Sequence, residues 1–393
     1  MVVVGGGFAG ATAAKTLRLL DETLEVILIE PKARYITCPG SNWLLAGLRT
    51  LSKLTVDYEA LKTRHQMTVL TDSVATIDPE RKRLDLDSGQ SITYDRLILA
   101  PGIDFRWDGV AGHDQASAER FPHAWQAGPQ TLLLARQLQS LPDGGVVLIT
   151  VPADPYRCPP GPYERASLMA YWLKHHKPRA KIIVLDAKRS FSKQALFEAA
   201  WMEHFGYGTA NSLIEWHSVA DNPVVALDAR SKTLSTDFGD RFQGDVLNLI
   251  PPQQAARIAR QAGLTDATGW CPIEPVTSQS RLIEGIHVIG DAGQYAPIPK
   301  SAFAANSEAK ACALAVVALL DGKSVSEPHW LNTCYSLVTP DHGISVAGVY
   351  RLDKERAIAA VPGAGGVSRM GAGRLEAAYA QNAYQALVSD TFG

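Results

Sequence analysis

A chain of 393 residues is too long for one compact core and predicts two or three domains. Hydrophobic residues make up 46% and charged residues 20%, with a formal net charge of -2; this is ordinary for a soluble globular protein and supplies no basic field for nucleic acid or an anionic membrane. The five cysteines, Cys38, Cys158, Cys271, Cys312 and Cys334, are too few to staple a fold. They show no C-x-x-C, no C-x-x-C-H and no zinc spacing, so neither a metal site nor a haem attached to this chain is expected.

In chain order, the opening reads strand, glycine turn, helix, strand. Val2–Val4 runs into Gly5-x-Gly7-x-x-Gly10, an alanine-rich helix follows to about Leu20, and Glu25–Ile29 is a second strand closed by Glu30. No signal-peptide n-region or h-region stands ahead of the motif, a start that a trimmed exported protein would share. In such a motif the first glycine permits a tight turn, the second admits a pyrophosphate, and the third lets helix pack on strand. The helix N-terminus offers its N–H groups to phosphate, and Glu30 is placed to accept from ribose hydroxyls. Further strands are expected at Met67–Thr71, in a hairpin-like stretch from Ile77 to Ile92, and at Tyr94–Ala100 before the Pro101-Gly102 break.

A second βαβ-like unit follows, with strands at Gly144–Val151 and Lys181–Asp186 around a helix at Tyr163–Lys174. Its turn carries no glycine fingerprint. It reads Pro152-Ala-Asp-Pro-Tyr-Arg-Cys158-Pro-Pro-Gly-Pro, and prolines cannot supply the N–H donors of a pyrophosphate cradle. A nicotinamide nucleotide is therefore not expected there. Strands at Asp245–Leu249 and Gly285–Asp291 and a long helix at Ser301–Leu320 come next. The apolar run Ala311–Leu320 is about half a membrane span and reads as a buried helix, so no integral membrane segment is expected. From Ser324 the chain turns to short β-prone pieces such as Gly343–Tyr350. His175-His176, flanked by lysines, reads as a solvated helix end.

Leu99-Ala100-Pro101-Gly102 and Gly285-Ile-His-Val-Ile-Gly290-Asp291 resemble the two later flavin signatures of glutathione-reductase-like proteins, which favours FAD over NAD in the first site. The expected fold is α/β, with two Rossmann-like dinucleotide-binding domains and a smaller α+β C-terminal domain. The boundaries are residues 1–110 with 240–323 for the FAD domain, 111–239 for the second domain, and 324–393 for the third.

Several longer segments sharpen the likeness. Arg34-Tyr-Ile-Thr-Cys38, Tyr156-Arg-Cys158-Pro-Pro-Gly-Pro-Tyr-Glu164-Arg-Ala166, Asn248-Leu-Ile-Pro-Pro252, Gly269-Trp-Cys-Pro272, Leu331-Asn-Thr-Cys334-Tyr335 and Asp390-Thr-Phe-Gly393 resemble the flavoprotein subunit of flavocytochrome c sulfide dehydrogenase. The resemblance implies a thioether from Cys38 to FAD, a redox disulfide between Cys158 and Cys334, and Glu164 as a proton carrier beside it. It also implies that Ser301-Ala302 points a helix N-terminus at the flavin ring. Hydrosulfide would open the disulfide, electrons would pass through FAD to haem on a separate c-type cytochrome subunit, and sulfur or polysulfide would leave. An oxidising periplasm suits that chemistry. Cys271 and Cys312 read as buried structural residues. Gly293-Gln294-Tyr295-Ala296 departs from the family pattern and is expected to alter the flavin surroundings.

Two other readings compete. A sulfide:quinone oxidoreductase shares the fold, but it should carry an amphipathic membrane-seated tail, whereas Arg374–Gly393 is polar and alanine-rich. A flavin-binding accessory subunit of a sulfur-oxidising system, itself inactive on sulfide, would share the same cysteines.

Overall fold

The computed structural model describes residues 1–393. The first sheet is five-stranded and parallel, and it draws on both halves of the chain. Its order is Ile286–Val288, Leu97–Leu99, Val2–Val4, Ile27–Ile29 and Thr68–Leu70. Val2–Val4, Leu97–Leu99 and Ile286–Val288 are buried throughout, the pattern of parallel strands covered on both faces. The helix Phe8–Leu20 packs on it beside the helix Ala302–Leu320. The latter is the one helix long and apolar enough to cross a bilayer, but half of it is buried as core. Ile77–Ile92 is a three-stranded antiparallel ribbon rather than a single hairpin.

The second sheet is a four-stranded parallel one, ordered Ile214–Ser218, Lys181–Asp186, Val146–Val151 and Val246–Leu249. Its main helix, Gly161–His176, starts two residues before the sequence suggested, because Pro162 occupies an early position where its missing N–H costs nothing. Where a nucleotide-binding unit offers a free acid at its second strand end, Asp186 is fully buried and already occupied. It accepts from Tyr163 Oη (2.5 Å), Trp216 Nε1 (3.0 Å) and Lys188 Nζ (2.7 Å). Phe191 stacks on Tyr163 at 3.7 Å and fills the space beside it.

The third unit is a continuous antiparallel sheet, Trp330–Thr339, His342–Leu352 and Ile358–Val367, with a terminal helix Gly373–Phe392. The strands are longer than the short pieces read from sequence; glycines such as Gly348 and Gly365 sit inside paired strands instead of ending them. Gly348 and Gly365 are neighbours across the pair, and a Cβ on Gly365 would meet Ala347 O at 2.5 Å. The terminal helix returns to the first domain. Phe392 stacks with Tyr35, Thr391 meets Thr12, and Asp390 binds Asn306 and Lys310.

Buried histidines give the fold an acid limit. His287 is fully buried, with Nδ1 2.8 Å from Thr277 O and Nε2 3.3 Å from an Arg96 N–H donor, an arrangement that suits only the neutral ring. Burial lowers its pKa from 6.5 to about 4. The unfolded chain therefore binds a proton that the fold refuses between those values, and stability falls as pH drops from 6.5 towards 4. Urea midpoints measured across this range should decline, and His287→Gln should flatten part of that slope.

Candidate functional site

The three units enclose a cavity of about 840 Å³, within the range of ligand and cofactor pockets. Every residue singled out from the sequence lines it except Gly10. Gly10 acts one layer behind: a Cβ there would lie 1.8 Å from Gly5 O, so only glycine lets helix and turn close up. Gly5 has a φ of +97° and passes against Ala100 O, which ties the glycine turn to the Ala100-Pro101-Gly102 segment. Gly7 begins the helix Phe8–Leu20, and no side chain caps it, so its first amides are left to the cavity.

Glu30 braces the turn, accepting from Gly6 N at 2.7 Å and Lys32 N at 3.1 Å. Each oxygen keeps a lone pair for a ribose hydroxyl. Asp291 follows a short strand, because Gly290 at φ +72° breaks the run that the sequence extends to residue 291. Its carboxylate makes no hydrogen bond within the chain, while its backbone oxygen is held by Lys300 Nζ at 2.7 Å. Glu308, which the sequence reading passed over, accepts from Gly290 N at 2.9 Å, and burial raises its pKa to about 8. Ser301 is the N-cap rather than the first residue of its helix. Its Oγ accepts from Ala304 N (3.0 Å) and donates to Asn332 Oδ1 (2.6 Å).

Cys158 stands where the proline-rich loop turns into the cavity. It has a φ of +59°, a left-handed conformation that costs a non-glycine residue of order 1–3 kcal/mol and persists only where neighbours hold it. Its N–H donates to Lys300 O at 2.7 Å, pinning the loop to the first domain, and its carbonyl accepts from Gly161 N. A Cβ on Gly161 would come within 3.0 Å of Cys158 Sγ and 2.7 Å of Trp125, so that glycine makes room for the sulfur at the helix start. Cys334 reaches the same cavity from the strand Trp330–Thr339, and Cys38 from the loop before the short helix Ser41–Leu45. Cys38 Sγ lies 3.8 Å from Trp125 O, which also accepts from Arg157.

No disulfide joins any of the five cysteines in this structure, and the Cys158–Cys334 bond rests on the resemblance. Burial pushes the Cys158 thiol far up, with the nearby charges of Cys334, Glu164 and Cys38 adding to it. Burial also raises Cys334, but the Lys193 ammonium and hydrogen bonding with Ser301 and Asn332 oppose the rise. Cys271 and Cys312 are fully buried, and desolvation raises each to about 12, the state of inert core thiols.

Glu164 is more occupied than a free proton carrier. Its Oε1 accepts from Leu337 N (3.0 Å) and Trp43 Nε1 (3.2 Å), and its Oε2 from Asn42 Nδ2 (2.9 Å). One buried carboxylate thus joins the helix bearing the Cys158 loop, the short helix after Cys38 and the strand bearing Cys334. Arg165 beside it is buried, with four acceptors: Asn42, His123, Asn248 and Ala124. The motifs around Glu164 and Asn248 are one hydrogen-bonded network, a link that sequence spacing does not reveal. The Gly293–Ala296 segment does not line the cavity. Tyr295 is buried and donates to Val288 O, Gln294 binds Asp266, and neither lines the cavity.

The cavity's chemistry fits FAD. It has glycine-turn amides and a helix end for phosphates, Glu30 and Asp291 for hydroxyls, and a volume large enough for a dinucleotide, with Cys38, Cys158 and Cys334 in its lining.

Comparison with known proteins agrees with this geometry. Residues 1–127 match the family model described as pyridine nucleotide-disulphide oxidoreductase, residues 131–251 that of the central part of the sulfide dehydrogenase [flavocytochrome c] flavoprotein chain, and residues 326–392 that of the flavocytochrome c sulphide dehydrogenase flavin-binding region. A sulfide dehydrogenase [flavocytochrome c] flavoprotein chain from Chlorobaculum thiosulfatiphilum is 60% identical over 42 residues, 11% of this chain and 88% of that sequence. The mitochondrial sulfide:quinone oxidoreductase of Mus musculus is 25% identical over 316 residues, 74% of this chain, and the match spans 65% of the mouse protein's length. In three dimensions, the sulfide:quinone oxidoreductase of Aquifex aeolicus superposes with a TM-score of 0.75 at 18% identity, covering 100% of this chain and 92% of that one, which establishes the shared fold. With three consecutive family models along its length and the 60% identical stretch, the chain belongs to the family of flavocytochrome c sulfide dehydrogenase flavoprotein chains.

Proposed function

We propose that this chain oxidises hydrogen sulfide to sulfur or polysulfide, using Cys158 and Cys334 as a cycling disulfide beside FAD, and passes the electrons to a c-type cytochrome subunit. The observation that carries this reading is the convergence of Cys158 and Cys334 from different units on the one cavity that holds the glycine turn and Asp291. Disulfide exchange moves two electrons onto a pair of sulfurs, and the chain's own residues arrange that step. The Gly161 helix holds Cys158, Glu164 fixes the strand of Cys334, and buried aromatic residues such as Trp125 limit water. Bound FAD would supply the step from an electron pair to single electrons.

A haem partner follows from the lack of any haem-attachment motif in this sequence together with the family's two-subunit name. A periplasmic location is part of the same proposal, since a redox-active disulfide and a c-type cytochrome partner both suit an oxidising compartment. The quinone reading rests on a different observation: Val367, Met370, Leu375 and Tyr379 are all exposed around the start of the terminal helix. A soluble c-type cytochrome and a short-chain quinone, offered in parallel to sulfide-reduced protein, separate the two. Transfer to the cytochrome at least about tenfold faster supports the proposal, and the reverse order supports the quinone enzyme.

Cys38 is proposed as the flavin tether. Acid-denatured wild-type protein should keep its yellow colour and a mass increment equal to FAD, and Cys38→Ala should release both. A colourless wild-type chain would remove the tether while leaving the sulfide chemistry standing.

A further inference from the structure

Lys193 is a buried ammonium that the catalytic outline above does not use. It sits at the N-cap of the helix Gln194–Phe205 with a φ of 62°, a second strained non-glycine residue close to the thiol pair. Only 8% of it is exposed, and its charged neighbours are Cys334, Glu164, Cys158 and Glu376. Its Nζ donates to Ser336 Oγ at 2.9 Å and towards Cys334 O at 3.3 Å, and it passes 5.6 Å from the Phe197 ring. Both oxygens belong to the strand of Cys334, and Asn332, Cys334 and Ser336 alternate along one face of it. Burying a cation with only two neutral acceptors is costly unless a negative charge forms beside it.

The two sulfurs meet unlike surroundings. Cys334 has the ammonium against its own strand and the Ser301 hydroxyl beside it at the start of the Ala302 helix, while its Sγ, as the thiol, donates to Asn332 Oδ1 at 3.6 Å. Cys158 has Gly161 under its sulfur; Cys334, the Glu164 carboxylate and Cys38 act on it ahead of the Lys193 ammonium, whereas for Cys334 the ammonium acts ahead of Glu164. A leaving thiolate is better held on the Cys334 side.

We propose that Lys193 is a positioning residue whose ammonium stabilises the Cys334 thiolate, so that hydrosulfide is directed to Cys158 Sγ. The inference rests on the disulfide reading above. Hydrosulfide forms a bond to Cys158 Sγ while the bond between the two Sγ atoms breaks, its electron pair leaving on Cys334. The sulfide sulfur is oxidised to a persulfide on Cys158, the disulfide is reduced, and the proton on the outer sulfur passes to solvent. The ammonium's own pKa is lowered to about 8 by burial, against the raising influence of Cys334, Glu164, Cys158 and Glu376, so it remains charged below that pH.

Two measurements on the FAD-loaded full chain test this. In the reduced protein, the pH dependence of alkylation, read by peptide mapping, should give Cys334 a midpoint at least one unit below that of Cys158. Lys193→Met should raise the Cys334 midpoint by a unit or more, and Lys193→Arg should restore it, with circular dichroism and flavin content unchanged. In the oxidised protein, hydrosulfide followed by alkylation should place the persulfide on Cys158 and the alkyl group on Cys334, and Lys193→Met should slow this opening at least tenfold. A midpoint order reversed in the wild type, or an unmoved Cys334 midpoint in Lys193→Met, overturns the role of Lys193. If mass analysis finds that no disulfide closes on oxidation, the disulfide reading fails; the alkylation order in the reduced chain still decides whether Lys193 sets the Cys334 thiolate.

Discussion

Cys334→Ser should leave FAD bound and the fold intact, yet slow reduction of the flavin by sulfide on the order of 10³-fold or more, and Cys158→Ser should do the same. Serine replaces either sulfur with little change in volume, and the other cysteines are not placed to substitute: Cys271 and Cys312 are sealed in the core, and Cys38 is proposed to hold the flavin. The two variants act on one exchange step, so the double variant should be no slower than either single one, the signature of residues working as a unit. Dithionite should still reduce the flavin in all three, which separates loss of sulfide chemistry from loss of cofactor. If Cys158→Ser retained wild-type rates, the exchange mechanism would have to be abandoned.

Glu164→Ala carries the second large effect, and it is on stability as much as on rate. Removing the carboxylate strands the Leu337 N–H, the Trp43 indole N–H and one Asn42 amide donor in a buried junction. Each orphaned donor costs roughly 1–3 kcal/mol, and with partial relaxation the total should be about 3 kcal/mol in urea unfolding. Glu164→Gln should lose less, because its carbonyl oxygen still accepts. Since Glu164 joins the elements carrying Cys158 and Cys334, sulfide-driven reduction should slow in Glu164→Ala in parallel with the stability loss. An alanine variant as stable as wild type would show that these three bonds contribute little in solution.

The sequence spelled out the parts of the site that depend on backbone geometry. Gly5, Gly7 and Gly10 are legible because steric exclusion leaves glycine as the sole solution at Gly5 and Gly10, and the proline-rich loop is legible because proline removes donors. The missing glycine fingerprint of the second unit was readable from that loop, but the occupation of its strand-end acid was not. Asp186 looks like an ordinary strand-end acid until Tyr163, Trp216 and Lys188 are seen to consume it. Lys193 was invisible for a similar reason: its partners lie on a strand 141 residues later, and neither spacing nor composition links them. Glu164 was found, but as a proton carrier; its bonding partners, which make it a brace, come from two other segments. The Gly293–Ala296 segment was read as facing the flavin because it follows Asp291 in sequence. The turn at Gly290 instead sends Tyr295 into the core.

The most direct test is anaerobic addition of sulfide to the oxidised, FAD-loaded chain while its flavin absorbance is followed. The account predicts that a first equivalent of sulfide opens the disulfide to a persulfide on one cysteine, and that a second, releasing that sulfur as polysulfide and letting the pair reclose, bleaches the flavin. A flavin that stays oxidised under sulfide, while dithionite bleaches it normally, would contradict the claim that Cys158, Cys334 and FAD form a sulfide-oxidising centre.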